Sequence, residues 1–155
     1  MHSGDRGLDL ALLQRDDHQT LMRHECGISD TDLIERYATA AAAHRVVGDQ
    51  EATLAALHQA AAYCDGPYLP DYDVPDYTLS DDQQHWQHYQ HDILHQLARL
   101  HLDRATYQAA RLVAKKMVHL GDEEPADDDL LADIYAALGN PRMAHSYRTK
   151  ADAAR

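Results

Sequence analysis

The sequence predicts an all-α fold, a stack of three antiparallel helical hairpins. Three observations carry that expectation. First, the last two thirds of the chain repeat: Leu97 and Ala98 recur as Leu131 and Ala132, and Ala110 as Ala144. The common step is a period of about 34 residues, the mark of stacked helix–turn–helix units. Second, the chain is rich in Ala and Leu, with no Phe, 7 Gly and 5 Pro, a composition that favours helix over strand. Third, capping residues and glycines fall at the ends of the periodic segments.

Residues 1–28 are weakly patterned. Leu8, Leu10, Leu12, Leu13, Leu21 and Met22 suit either a short helix or a tail. Residues 29–155 form the domain. Ser29 or Asp30 can cap a helix running to Val47, with Gly48 ending it. Asp49 can cap the next, which carries Leu54, Leu57, Ala61 and Cys64. So short a connection makes the two helices antiparallel neighbours.

A break follows from Asp65 to about Leu79, with Gly66, Pro67, Pro70 and Pro75. Proline removes backbone donors and turns the residue before it away from helix. Tyr68, Tyr72 and Tyr77 stand among them, so the expectation is an ordered loop whose rings pack on the hairpins. Ser80 with Gln83 has capping-box spacing and opens a long helix to near Leu102. Trp86, Tyr89, Ile93, Leu97 and Leu100 form its single apolar stripe.

A second helix is expected from about Ala105 to Leu120, with Gly121 past its end. The last hairpin runs from about Ala126 to Leu138, then Gly139, with Asn140 as cap and Pro141 as first helical residue. Ala41, Ala98 and Ala132 hold one small-residue position where paired helices approach closely. Ala132 follows Ala98 by one period. The step from Ala41 to Ala98 is longer, and the loop and the lengthened helix account for the excess.

These units resemble tetratricopeptide repeats. The third carries Leu131, Ala132, Tyr135, Gly139, Ala144 and Ala151 in the expected register. Asp128 stands where the family has an aromatic, and the repeat-end proline is either absent or displaced to Pro125. A narrower resemblance covers residues 29–155. Gly66, Tyr68, Leu69 and Pro70, then Trp86 and Tyr89, then the run from Leu130 to Tyr147 are similar in order to the bacterial transcriptional activator domain. That domain follows the winged helix in antibiotic-regulatory-protein type regulators. The resemblance implies a protein–protein interaction module in transcription regulation. Residues 1–28 are too few to make a winged helix, so the expectation is an excised domain or a free-standing module lacking its own DNA-binding domain.

The net charge of −12, without a block of Lys or Arg, argues against direct nucleic-acid binding, which depends on cationic contacts, and against an anionic membrane. The apolar stretch Leu8–Leu13 is too short for a span and has no basic flank. Two cysteines, Cys26 and Cys64, give no disulfide framework or metal spacing, so reduced thiols and a cytoplasmic location are expected.

Stacked hairpins present the first helix of each pair to a concave groove. That register places Glu35, Thr39 and Arg45 in a partner-binding groove from the first hairpin. The second contributes Asp92, His95, Gln96, Arg99 and Asp103, and the third Asp129 and Asp133. Mixed charges suit a peptide, a partner's helix or a second copy in a homodimer. A regulator or RNA polymerase is the partner class the resemblance implies. Arg99 and His95 stand out as cations against an acidic background.

His88, His91 and His95 cluster opposite the apolar stripe of the long helix. His91 and His95 have i, i+4 spacing that can chelate a metal, but no second pair or Cys completes a site, and a solvated face is the plainer expectation. The acidic stretch Asp122–Asp129 lacks the glycine and alternating oxygen ligands of a calcium loop. No nucleophile–base pair or phosphate loop is visible. No enzyme activity, cofactor or metal is therefore expected; the alternatives are a general adaptor of the same fold and, further off, a His-dependent metal protein or enzyme.

Overall fold

A computed structural model describes residues 29–65, 77–121 and 124–155, with side chains from residue 81 onward in the second of these segments. The readings made on residues 1–28, on the Tyr/Pro loop from Gly66, and on Asp122 and Glu123 lie outside the described residues. Six helices follow one another: α1 (Asp30–Val46), α2 (Gln50–Ala61), α3 (Tyr77–Asp103), α4 (Tyr107–His119), α5 (Pro125–Ala137) and α6 (Pro141–Ala153). Among the described residues there is no strand, and no helix is long and apolar enough to cross a membrane.

The helices pair as α1·α2, α3·α4 and α5·α6, and the hairpins stack through α2 on α3 and α4 on α5. The architecture is thus an all-α stack of three antiparallel hairpins. Local chemistry sets the boundaries. The Ser29 hydroxyl accepts the Asp32 amide at 3.2 Å while the Asp32 carboxylate accepts the Ser29 amide at 3.1 Å. This reciprocal pair satisfies two of the orphan donors at the start of α1. Asp49 caps α2 through the Ala52 amide, and Asn140 caps α6 through the Met143 amide.

The three hairpin turns are built alike. After α1, the Gly48 N–H donates to the Arg45 carbonyl at 3.1 Å and the Asp49 N–H to His44 at 2.9 Å. Ala105 and Thr106 donate to Leu102 and His101 after α3, and Gly139 and Asn140 to Ala136 and Tyr135 after α5. This nested pattern needs a left-handed residue just past the helix. Gly48 and Gly139 supply it at φ 78° and 73°; Ala105 adopts φ 58°.

Two sequence-based boundaries shift. The long helix begins at Tyr77 rather than Ser80, so Ser80 lies inside the first turns and is not a cap. Past Pro75 nothing in the sequence opposes helix, and the capping-box spacing loses to earlier nucleation. The following helix begins at Tyr107 rather than near Ala105, because Ala105 is the left-handed turn residue.

Two apolar clusters fill the stack. The first joins Ile34, Leu57, Ile93, Leu94, Leu97, Met117 and Leu120 from the first two hairpins. The second joins Ala98, Ala110, Ala114, Leu130, Leu131, Ile134 and Tyr135. The α3–α4 hairpin contributes to both, and Val113 packs against each. Ala41, Ala98 and Ala132 are buried, as their shared register predicts. Across the stack, Lys116 on α4 donates to the Ala61 carbonyl at 2.9 Å and the Asp65 carboxylate at 2.6 Å. That places a cation where α2 ends and its dipole is negative.

Candidate partner-binding cleft and the junctions beside it

The first two hairpins leave an open cleft of about 400 Å³ between them. Leu57 of α2 and Leu100 of α3 give it apolar surface. Arg45 comes from the last turn of α1, Gln50 and Thr53 from the first turns of α2, and His95, Gln96, Arg99 and Asp103 from α3. The Arg45 guanidinium donates to the Gln96 side-chain oxygen at 3.2 Å, bridging the two hairpins over the opening.

Five of the ten groove residues expected from sequence meet here: Arg45, His95, Gln96, Arg99 and Asp103. Glu35, Thr39 and Asp92 are exposed but do not line this cleft. Asp129 and Asp133 lie on the third hairpin, where Asp129 pairs with Arg155. Asp133 accepts Arg148 at 2.6 Å and lies 3.6 Å from Arg99. Arg99 therefore does not stand alone: Asp103 is also 3.6 Å from its guanidinium. Both contacts are long and exposed, which leaves the charge available to a stronger acceptor. Gln50 and Thr53 escape the sequence register, which counts only the first helix of each pair.

His91 departs most from the sequence reading. It is 3% exposed, not solvated. Its Nε2 lies 2.8 Å from one oxygen of Asp127, and His95 Nδ1 lies 3.0 Å from the other. Asp127, also buried, takes the Glu124 amide at 2.8 Å as the third residue of α5. All three donors converge on one carboxylate, tying α3 to α5. Burial alone would raise the Asp127 carboxyl, but hydrogen bonds from His91, His95 and the Glu124 amide outweigh it and hold it far below the usual carboxylate range. The hydrogen bond to Asp127 raises His91 above the usual imidazole range, against the opposing effect of burial.

This junction accounts for two acids of the stretch Asp122–Asp129. Asp127 is committed to two imidazoles, and buried Asp128 accepts Lys150 of α6 at 3.1 Å. Both acids lock helices together. Among the described residues, no group of three or more His, Cys, Asp or Glu is arranged to hold a metal ion. Cys64 is buried, its sulfhydryl turned to the Ala60 carbonyl. Burial pushes its thiol up to about 11, with Lys116 opposing, which makes it a poor nucleophile.

In comparisons with known proteins, no family model, no curated protein and no solved structure matches this chain.

Proposed function

We propose that this domain is a protein-interaction module of a bacterial transcriptional regulator, working in the cytoplasm by holding a segment of a partner regulator or of RNA polymerase. The carrying observation is the cleft between the first two hairpins. It combines apolar surface from Leu57 and Leu100 with two guanidiniums, one imidazole, one carboxylate and three uncharged polar side chains. Such a surface suits an extended peptide or a partner's helix, with apolar contact supplying area and the polar rim orientation. It serves binding rather than catalysis. With a charge of −12, the chain is suited to a protein partner rather than to nucleic acid. The transcriptional assignment rests on the resemblance carried by Gly66 to Pro70, Trp86, Tyr89 and the run from Leu130 to Tyr147.

The test is affinity capture from the source cell with the wild-type chain and with Arg45→Glu and Arg99→Glu. Regulators or RNA polymerase subunits should be retained by the wild type and lost by both variants, with melting temperatures essentially unchanged, since exposed pairs contribute about 0–1 kcal/mol. Capture only of proteins unrelated to transcription would favour a general adaptor. Equal capture by all three chains would refute the cleft.

A further inference from the structure

Thr106 occupies the position that Asp49 and Asn140 hold in the other two hairpins. It stands one repeat period before Asn140, and the same lengthened step separates it from Asp49 as separates Ala98 from Ala41. Both counterparts spend their side chains capping the following helix. Thr106 does not: its side chain makes no capping hydrogen bond to α4. A missing cap costs about 1 kcal/mol, so the diverted hydroxyl calls for another role.

That role is to fix an imidazole. The Thr106 hydroxyl has one proton, and it is donated to the His101 carbonyl at 3.0 Å. The oxygen can then only accept from His101 Nδ1, 2.8 Å away. The His101 proton therefore resides on Nδ1, and Nε2 carries a lone pair. That lone pair accepts the hydrogen bond from Nε2–H of His58 on α2 at 2.9 Å, with the ring centroids 4.9 Å apart and the planes inclined at 67°. His101 is 6% exposed, whereas His58 is exposed; an incoming ion would displace the His58 Nε2 proton to Nδ1 or to solvent, leaving two ring lone pairs side by side.

We propose that His58 and His101 form a two-histidine site for a divalent transition ion that clamps the first hairpin to the second. The spacing selects the ion. An ion about 2.0–2.1 Å from each nitrogen would see two nitrogens 2.9 Å apart at about 90°. Those are adjacent positions of a square-planar or octahedral ion such as Ni(II) or Cu(II), not the wider angle of tetrahedral zinc. Water completes the coordination. The Thr106 hydroxyl is the outer partner that orients His101, a role such ligands commonly require. His58 follows Leu57 and His101 follows Leu100, and both leucines line the cleft. An ion here would hold the two walls of the cleft at one separation. The site does not depend on what the cleft binds.

Calorimetric titration of the full chain with nickel chloride at pH 7.5 tests this, with zinc chloride as comparator. The wild type should show one equivalent of Ni(II) that disappears in His58→Ala and weakens about tenfold in Thr106→Val. His95→Gln should retain it. Nickel should also raise the melting temperature of the wild type but not of His58→Ala, because an ion held only by the folded chain stabilises it. No nickel binding, binding insensitive to His58→Ala, or zinc bound more tightly than nickel at this site would overturn the proposal.

Discussion

Ala105 is the informative place to perturb the fold. The three hairpin turns have the same hydrogen-bond pattern, yet only the middle one places a side chain at the left-handed position. For a residue with a Cβ that conformation costs about 1–2 kcal/mol. Replacing Ala105 with Gly removes that strain and leaves both turn hydrogen bonds intact. The opposing effect is the extra freedom of glycine in the unfolded chain, about 0.5–1 kcal/mol. The net expectation is a stabilisation of about 0.5–1 kcal/mol, which for a chain of this size raises the melting temperature by about 2 °C. Gly139→Ala is the mirror experiment. A Cβ there would meet nothing within 4 Å, so its cost is backbone strain alone, and a drop of similar size is expected. Differential scanning calorimetry on the two variants decides the matter. A lower melting temperature for Ala105→Gly, or an unchanged one for Gly139→Ala, would refute the common-turn reasoning.

Asp127→Asn removes the charge on which two imidazoles and an amide converge, and should cost about 3 kcal/mol, read from the urea midpoint; a loss under about 1 kcal/mol, the range of an exposed pair, would count against the junction. His91 gives that junction a pH dependence of definite sign. Its folded pKa lies above the unfolded value of about 6.5, so its contribution is fully present below that pH and is lost as pH rises through the raised value. Between pH 8 and pH 6 the wild type should therefore gain stability relative to His91→Gln; parallel urea curves at both pH values would contradict this. Protonating all 12 His would bring the charge of −12 to about 0, so turbidity should rise between pH 6 and pH 5 as self-repulsion fades, and a clear solution throughout would speak against it.

The caps and turns are readable in the sequence because their chemistry is local. Ser29, Asp49, Asn140, Pro141, Gly48 and Gly139 all do what their residue types favour within a few positions. The shared register of Ala41, Ala98 and Ala132 is readable because close helix approach tolerates only a small side chain. His91 is not. A helical wheel assigns one buried stripe to a helix, while α3 is covered on two sides, by α2 and by α5. The partner that buries His91 is Asp127, far along the chain on α5. Half of the cleft is legible for a related reason: α3 faces it in the expected register, but the opposite wall comes from the start of α2, whose residues carry no signal of facing a neighbour. The early start of α3 is hidden because a capping-box spacing records what a residue can do, not where a helix already under way has begun.

Val113 packs against both apolar clusters, and α3–α4 belongs to each. In a linear array, units that share little interface melt one after another from the ends. Here the middle hairpin has no interior of its own: it lends one side to each neighbour. Loss of either terminal hairpin would strip apolar cover from the central one and so undermine the other. The three hairpins are therefore expected to unfold in a single concerted transition, and the shortest piece able to stand alone is longer than one period of the repeat.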